Sequence, residues 1–375
     1  MGTLYRFAVL GCGNGGMALA GQIAAKGYSV NIFEGLEFTK EITRLSEEKE
    51  IIVQGDIQSR GRINCLTNDM KVAVAGADVI LVVLPAFAHE PVFRKLLPHL
   101  KDGQRVVIIP GNYGSLLLKK MLLDSGISRK ITISETASLP FACRITNYKT
   151  VMVHKQKKKL KLATMPADEN GAIVDIMNDI ANIYLPADNV LETSLDNFNM
   201  ILHPLPVLLN YGEIEKRPEE FRHYLDGITP LISQQMHKMD QERLALGKYY
   251  SLNLMSTLDQ LKMYYGANDT DSIYAYVNSD ESPYKNIIGH SVQSRYLTED
   301  IPYLAVPTML LAQQAGIHTP LLELCVKLSS QLHGTSYLES GYNLFKLGIA
   351  GLSAEDLRSY VLELNSLPKE REGVS

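Results

Sequence analysis

Two segments in the second half of the sequence place polar side chains that could do chemistry among apolar neighbours. His203 lies in the apolar, proline-marked segment 200–209 (MILHPLPVLL), and Asn199 precedes it by four residues. That spacing would put both side chains on one face of a helix. A histidine in such surroundings is either a core residue with its hydrogen bonds satisfied or a general base held in a dry cleft. The spacing alone leaves both interpretations open.

The second segment, 294–303 (SRYLTEDIPY), groups Arg295, Glu299 and Asp300 among apolar and aromatic residues. An arginine there can hold a substrate carboxylate through two parallel hydrogen bonds, and an aspartate can orient a histidine. The same residues could instead form an internal salt-bridged loop. The segment therefore indicates either an anion-binding site with a carboxylate partner or structural ion pairing.

A glycine-rich turn near the start of the chain is the strongest motif in the sequence. It follows an apolar, strand-like run and opens an alanine-rich, helix-like one. In a dinucleotide site, the first glycine permits the tight turn, the second lets the backbone approach a pyrophosphate, and the last lets the helix pack against the strand. The N-terminus of the helix adds free N–H groups and positive potential. The cofactor-binding residues predicted here are Gly11, Gly13, Asn14, Gly15 and Gly16.

Glu34 ends the second predicted strand, where an acidic side chain can accept hydrogen bonds from the adenosine ribose. Its carboxylate would repel a 2′-phosphate, and the following residues 35–39 contain no arginine. NAD(H) is therefore expected rather than NADP(H), with Lys40 as the one nearby cation that argues the other way. The alternative is that Glu34 is an ordinary exposed acid at a strand end.

Two further residues follow predicted strands. Pro85 follows the strand 78–84, at the kind of position where nicotinamide and substrate meet in open α/β sheets. Glu135 follows the strand 131–134 and could contact a substrate or serve a structural role. We predict Pro85 as a cofactor contact and Glu135 as a substrate contact.

The elements that must position these residues follow from the hydrophobic pattern. Continuous apolar runs alternate with helix-like segments up to residue 134, which is typical of parallel strands buried on both faces. The first half is therefore predicted to be a doubly wound, Rossmann-type dinucleotide-binding domain of an α/β protein. Residues 144–164 are predicted to extend this sheet in antiparallel fashion around a lysine-rich turn, which we interpret as solvated.

The second half has a different hydrophobic pattern: runs of β-branched residues are rare, and apolar residues recur mostly at helical spacing. A mostly α-helical C-terminal domain is expected to supply the substrate site. The predicted helices are 202–215, 225–247, 250–265, 306–315, 321–332 and 353–364. The predicted domains are 1–188, which binds NAD, and 189–375, which is helical and catalytic.

Composition excludes several classes of protein. With 46% apolar and 21% charged residues, the composition is that of a folded protein rather than a disordered one. The net charge of −4 shows no excess of basic residues of the kind that binds nucleic acid. The most apolar stretch, 79–88, is about half the length of a membrane span. Four scattered cysteines form no CxxC pair, so neither disulfides nor a metal site are expected. A cytoplasmic enzyme without a basic-then-apolar leader is the expectation.

The motifs together resemble the opine dehydrogenases, a family that includes octopine, nopaline and carboxyethyl-norvaline dehydrogenases. The resemblance rests on GCGNGG at 11–16, SETAS at 134–138 with Cys143-Arg144, NxxxHPLP at 199–206 and RYxTEDxP at 295–302, in the family's order over nearly the whole chain. The glycine motif is shared with many enzymes, whereas the last two motifs are more specific. The sequence is most similar to the bacterial carboxyethyl-norvaline type.

The resemblance implies an NADH-dependent reductive condensation of an L-amino acid with an α-keto acid such as pyruvate, through an imine, to a secondary-amine dicarboxylate. It further implies that His203 is the general acid and base, that Asp300 is its partner, and that Arg295 binds a carboxylate. Arg295, Asn199 and Glu135 are the predicted substrate-binding residues. The expected partners are small molecules, and a homodimer is one arrangement that the sequence leaves open.

Two other functions compete with this one. A single-substrate dehydrogenase of the glycerol-3-phosphate dehydrogenase or ketopantoate reductase type would need an essential lysine in the helical half. Lys216, Lys238, Lys248 and Lys262 are present there, but none lies in a recognisable context. A non-catalytic dinucleotide sensor is the third option, against which the grouped polar residues of the second half argue.

Overall fold

The computed structural model describes residues 5–267, 269–285, 287–288 and 291–364. Packing divides this part of the chain into two compact units, one of residues 5–193 with 361–364 and one of residues 194–360. Packing does not by itself establish independently folding domains, so the division after residue 188 stays a prediction.

The first unit alternates strands and helices. Its strands are β1 (Arg6–Leu10), β2 (Ser29–Phe33), β3 (Glu50–Gly55), β4 (Ser59–Arg62), β5 (Cys65–Thr67), β6 (Val79–Val82), β7 (Arg105–Ile108), β8 (Thr132–Thr136), β9 (Phe141–Asn147), β10 (Thr150–Gln156), β11 (Leu160–Met165) and β12 (Tyr184–Pro186). Its helices are α1 (Asn14–Ala25), α2 (Lys40–Glu48), α3 (Met70–Val74), α4 (His89–Leu96), α5 (Gly114–Asp124) and α6 (Asn170–Ile180).

The larger sheet confirms the doubly wound α/β prediction. Among the described residues it has eight strands in the order β12-β11-β8-β7-β6-β1-β2-β5, and β1 pairs in parallel with both β2 and β6. Every residue of β6 is buried, as expected for a strand covered by helices on both faces. The carboxyl ends of the parallel strands therefore share one edge of the sheet.

The predicted antiparallel extension is right for one segment and wrong for the other. β11 pairs antiparallel with β8 in the large sheet, whereas β9 and β10 form a hairpin in a second sheet of order β4-β3-β10-β9. The hairpin joins the second sheet because β10 pairs in parallel with β3, which presents Ile51 and Val53 to Gly21 of α1. The lysine-rich turn thus connects two sheets, and Lys157 in it is buried with its Nζ donating to the carbonyl of Leu139 at 2.7 Å.

The second unit is helical, as predicted. Its elements, beginning with the helix that crosses the unit boundary, are α7 (Val190–Leu195), α8 (Asn199–Leu202), α9 (Pro204–Leu209), α10 (Tyr211–Lys216), α11 (Pro230–Tyr249), α12 (Thr257–Tyr265), α13 (Ile273–Asn278), α14 (Arg295–Thr298), α15 (Val306–Gln314), α16 (Pro320–His333), α17 (Tyr337–Ser340) and α18 (Ala354–Leu362). A π-helical turn, Ile301–Ala305, leads into α15. No helix in the described part of the chain is long and apolar enough to cross a membrane.

The helix predicted from residue 225 begins five residues later, at Pro230. Thr229 caps it, since its side chain accepts from the N–H of Ile232 at 3.3 Å. Proline is well suited to the first helical position because it has no N–H group to leave unpaired. Residues 217–229 are consequently a long connection between α10 and α11.

A buried ion pair network holds the helices of the second unit together. The guanidinium of Arg243, on α11, is fully buried and lies 2.8 Å from Asp240 and 3.2 Å from Asp196. It also donates to the carbonyls of Leu195 and Met255. These bonds join the end of α7, α11 and the end of the segment that precedes α12.

Arg243→Ala is expected to lower the free energy of unfolding by about 3–5 kcal/mol, because two buried carboxylates lose their cation. Urea unfolding followed by circular dichroism measures the change. Lys327→Ala is the matched control: it removes an exposed ion pair with Glu323 in the same unit and should cost about 1 kcal/mol or less. Equal losses in the two variants would contradict the structural role of the network.

Candidate active site

The glycine turn has the geometry of a dinucleotide cradle. Gly11 has a φ of +115°, and a Cβ there would lie 2.4 Å from the carbonyl oxygen of Val83. A Cβ on Gly16 would lie 1.9 Å from the carbonyl oxygen of Gly11, so only glycine lets α1 approach β1 this closely. At Gly13, by contrast, a Cβ would meet nothing within 4 Å. The turn therefore closes tightly on itself and leaves its exposed middle open to a ligand.

Gly15 and Asn14 complete the turn with different surroundings. A Cβ on Gly15 would lie 2.8 Å from a side-chain carbon of Leu139. The side chain of Asn14 accepts a hydrogen bond from the N–H of Ile145 in β9 at 2.8 Å. The first N–H groups of a helix have no partner within it, so backbone groups of 14–16 suit a phosphate. Contacts of these two residues with the cofactor stay predictions.

Glu34 lies directly against the glycine turn. Its carboxylate accepts from the N–H of Cys12 at 3.2 Å and from the N–H of Leu36 at 3.1 Å. These bonds hold a negative charge beside the turn, where it can accept from ribose hydroxyls and repel a 2′-phosphate. The glycine cradle and this carboxylate together fit NAD(H).

The other two residues predicted at the sheet edge differ in exposure. Pro85 follows β6 and is half-buried. Glu135 is fully buried at the end of β8, where it accepts from Ser115 Oγ at 2.6 Å and from Thr193 Oγ1 at 2.9 Å. Glu135 thus binds the N-terminal turn of α5, and its contact with a substrate stays a prediction.

His203 and Asp300 form a short, buried hydrogen bond. His203 is the residue that joins α8 to α9, and Asp300 lies between α14 and the π-helical turn. The two side chains meet at 2.6 Å between Nδ1 and Oδ2, and His203 is only 8% exposed. π-Helical turns are rare and often mark functional sites. The predicted pairing of these two residues is therefore present in the structure, 97 positions apart in sequence.

Arg295 lies at the exposed start of α14. Its side chain is 71% exposed, and its guanidinium lies 3.5 Å from the carboxylate of Glu299. Its charge acts on both His203 and Asp300. Asn199, half-buried at the start of α8, accepts from the N–H of His203 through its backbone carbonyl at 3.0 Å. An exposed guanidinium near a buried imidazole can bind a substrate anion while the imidazole moves protons.

Burial controls the electrostatics of the pair. Burial, reinforced by the positive charge of Arg295, lowers the pKa of His203 to about 3. Burial raises the pKa of Asp300 well above its usual range, and Arg295 opposes that rise. We assign the proton of the short bond to Nδ1 of a neutral imidazole, which leaves the lone pair on Nε2 able to take up a proton.

Two tyrosines that the sequence did not point to complete the surroundings of the imidazole. The ring of Tyr296 stacks on it, with centroids 3.7 Å apart and planes 6° apart. The hydroxyl of Tyr224 lies 3.0 Å from Nε2. Tyr296 lies inside the segment 294–303, and its position between Arg295 and Asp300 could have identified it from the sequence as a residue of the site. Tyr224 lies in the connection 217–229, and no motif marks it.

No group of three or more metal-ligating side chains is present in the described part of the chain. The side chains described above supply an imidazole, a carboxylate, a guanidinium and two phenols.

Comparison with known proteins finds a matching family for each half of the chain. Residues 186–333 match the family described as NAD/NADP octopine/nopaline dehydrogenase, alpha-helical domain, and residues 6–124 match NAD-dependent glycerol-3-phosphate dehydrogenase N-terminus. An opine dehydrogenase of Arthrobacter sp. (strain 1C) is 35% identical over 358 residues, which cover 95% of this chain and 98% of that protein. An octopine dehydrogenase of Mizuhopecten yessoensis is 25% identical over 376 residues, covering 90% and 92%.

A solved structure of octopine dehydrogenase with NADH and L-arginine has the same fold. It matches this chain with a TM-score of 0.76 and 19% identity, over 99% of each chain. At 19% identity, this similarity is evidence for a shared fold.

Glu34→Gln should weaken NADH binding about tenfold, because a charged hydrogen-bond acceptor becomes neutral. The same change should strengthen NADPH binding, since the repulsion of the 2′-phosphate is removed. Fluorescence titration with each nucleotide measures both effects. The control, Glu37→Gln, neutralises an exposed acid three residues away and should change neither affinity. An unchanged ratio of the two affinities in Glu34→Gln would refute the ribose assignment.

His203 is expected to stay neutral in the free protein throughout the range from about pH 5 to pH 8, in which an unperturbed histidine titrates. The reason is that burial disfavours the imidazolium and lowers its pKa to about 3, below this range. ¹⁵N NMR of histidine-labelled protein tests this, with the His203 signals assigned by their loss in His203→Asn. A titration midpoint inside the range would mean that Asp300 outweighs burial.

Proposed function

The chain belongs to the opine dehydrogenase family, and from this premise we propose that it joins an L-amino acid to pyruvate by NADH-dependent reductive condensation. The product class is a secondary-amine dicarboxylate. The observation that carries the assignment of the chemistry is the buried hydrogen bond between His203 and Asp300, with the charge of Arg295 acting on both. The enzyme is an NAD-dependent oxidoreductase that acts on CH–NH donors.

The condensation needs proton transfers that a neutral imidazole can perform. The amino group must lose a proton before it attacks the keto carbon, and the resulting hydroxyl must gain one to leave as water. Nε2 of His203 takes up the first proton and returns it to the hydroxyl, after which the imine remains. Asp300 fixes the ring through Nδ1 and stabilises the imidazolium while it exists. When bound, NADH supplies the hydride that reduces the imine.

Substrate binding needs fixed cations, because both substrates carry carboxylates. Arg295 is assigned to one of them, since an exposed guanidinium can bind it through two hydrogen bonds. Asn199, on the turn that leads to His203, and Glu135, at the end of β8, are assigned to further substrate contacts. Glu135 is the weakest of the three assignments, because Ser115 and Thr193 already donate to it.

The cofactor is NAD(H), with NADP(H) disfavoured. The residues assigned to it are Gly11, Gly13, Asn14, Gly15, Gly16, Glu34 and Pro85. Support comes from the cradle at 11–16 and from the carboxylate of Glu34 beside it. The partners of the protein are small molecules.

A cytoplasmic location is proposed, since all four cysteines are free thiols, which suits a reducing compartment. A homodimer remains one arrangement for solution measurements to test.

The competing functions receive less support. The match to the glycerol-3-phosphate dehydrogenase family is confined to residues 6–124, which belong to the dinucleotide-binding half. The helical half matches the octopine/nopaline family instead. A dinucleotide sensor would have no use for a buried imidazole–carboxylate pair with a cation nearby.

The deciding experiment follows NADH oxidation by absorbance with a panel of twenty amino acids against pyruvate, glyoxylate and 2-oxoglutarate. Oxidation should require an amino acid and a keto acid together, and pyruvate should be the best keto acid. Oxidation with keto acid alone would indicate a single-substrate dehydrogenase. NADH binding without turnover across the panel would indicate a sensor.

His203→Ala separates catalysis from binding in the same assay. The rate should fall by about 10²–10⁴, the usual contribution of a general acid–base group, while NADH affinity stays unchanged. His333→Ala is the control, because His333 lies in the same unit and bonds to Tyr337 and to the carbonyl of Val292 rather than to Asp300. Activity close to wild type in His203→Ala would remove this residue from the mechanism.

A further inference from the structure

We propose that Tyr224 and Tyr296 relay protons to and from Nε2 of His203, so that the buried imidazole exchanges protons through two phenol hydroxyls. The inference rests on the proposed function, in which His203 is the acid–base group. It adds two residues to the proposed mechanism: Tyr224, which acts through the imidazole, and Tyr296, which exchanges the proton with the substrate.

The geometry is a continuous chain of hydrogen bonds. Asp300 Oδ2 lies 2.6 Å from His203 Nδ1, His203 Nε2 lies 3.0 Å from Tyr224 Oη, and Tyr224 Oη lies 3.2 Å from Tyr296 Oη. The first two distances are within the usual range for hydrogen bonds, and the last is longer than is usual between two hydroxyls. Tyr224 is 3% exposed, whereas Tyr296 is half-buried. The chain thus runs from a buried carboxylate to a phenol that is partly accessible.

The ring of Tyr224 is clamped, so its hydroxyl cannot easily leave Nε2. Tyr284 stacks on it at 4.4 Å between centroids, and His223 meets it edge-on at 4.8 Å. The backbone that carries Tyr224 is also fixed, because Arg222 and Asp226 pair across the turn and Gly227 lies against the carbonyl of His223. Because the hydroxyl of Tyr224 stays beside Nε2, a substrate would exchange protons with His203 through that hydroxyl.

A phenol hydroxyl suits a relay because it donates one hydrogen bond and accepts another. When a substrate ammonium N–H bond breaks, its proton passes to Tyr296 Oη while the proton of Tyr296 passes to Tyr224 Oη. At the same time the proton of Tyr224 passes to Nε2 of His203. Each phenol ends with one proton, the imidazole has gained one, and the amine has become a nucleophile. The reverse sequence delivers the proton to the departing hydroxyl.

The groups that face Tyr224 keep it neutral. Burial, together with the neighbouring Tyr296, Asp300 and Tyr265, raises its pKa well above the usual range. Burial also raises the pKa of Tyr296. Both phenols therefore keep their protons at neutral pH, which means that they can only pass a proton on while they accept another.

The test removes each hydroxyl but keeps each ring. Tyr224→Phe should lower kcat at least about tenfold, within the range for acid–base contributions, with little change in KM for either substrate. Tyr296→Phe should lower kcat as well, while its ring still stacks on the imidazole. The control is Tyr276→Phe, which removes a buried hydroxyl that donates to the carbonyl of Leu261 in the same unit and should leave kcat unchanged.

Two readouts separate a relay from a merely structural role. We expect kcat of the wild type, plotted against the fraction of D₂O in the solvent, to fall along a curve because several protons move together. For Tyr224→Phe the same plot should be a straight line. In ¹⁵N NMR of the free protein, Tyr224→Phe should shift the Nε2 signal of His203 to that of a nitrogen without a hydrogen-bond donor. NADH affinity should match wild type in every variant.

Each outcome bears on one proposal only. Wild-type kcat in both phenol variants would overturn the relay, and so would a lower kcat with the solvent isotope curve of the wild type. If Tyr224→Phe does not fold, as judged by circular dichroism, Tyr296→Phe decides by the same two criteria. A wild-type protein that oxidises no NADH with any substrate pair would overturn the proposed function instead.

Discussion

The hydrogen bond between His203 and Asp300 is the interaction on which the proposed chemistry of this protein depends. It joins residues 97 positions apart, and both lie at interruptions of helical structure: His203 between α8 and α9, and Asp300 before a π-helical turn. Burial makes the charged form of each partner costly. The imidazole is therefore assigned as neutral, and its N–H on Nδ1 satisfies the buried carboxylate. Helices that end at these two residues are what allow the side chains to meet.

The glycine turn of the first unit is proposed to bring its backbone close to an anion. Two glycines of the turn are required for opposite reasons. Gly16 lacks a side chain because the backbone of Gly11 occupies the space, whereas Gly13 lacks one although the space beside it is open. Packing explains the first glycine, and we assign the second to the approach of the cofactor. The adjacent carboxylate of Glu34 is the group to which we assign the selection of NAD(H) by charge.

The sequence predicted the features that local pattern encodes. The alternation of apolar runs and helices specified the doubly wound sheet. The spacing around His203 and Asp300 left their roles open, and the resemblance to the opine dehydrogenases named them as partners. The second sheet was missed because β3 and β4 are only partly buried and neither is apolar throughout. The pairing of β3 with the hairpin depends on contacts distant in sequence. Lys157 was misjudged because composition indicates exposure, while burial of one lysine in a basic run depends on tertiary packing.

Tyr224 shows the limit of sequence reasoning most clearly. It lies in an irregular connection without periodicity, and only the path of that connection brings its hydroxyl to Nε2. Arg243 is a similar case, since a single arginine on a helix gives no sign that two aspartates from different elements surround it. Neither Tyr224 nor Arg243 stands out in the local sequence, because each contacts residues that are distant along the chain.

Glu135 has a consequence for how mutants of this enzyme should be interpreted. Its carboxylate joins the end of a central strand to the first turn of α5 and to Thr193, the last residue before the second unit begins. Replacing it would disturb three pieces of backbone at once. An inactive Glu135 mutant recovered from a genetic screen would therefore say nothing about substrate recognition, unless its melting behaviour were shown to match that of the parent protein.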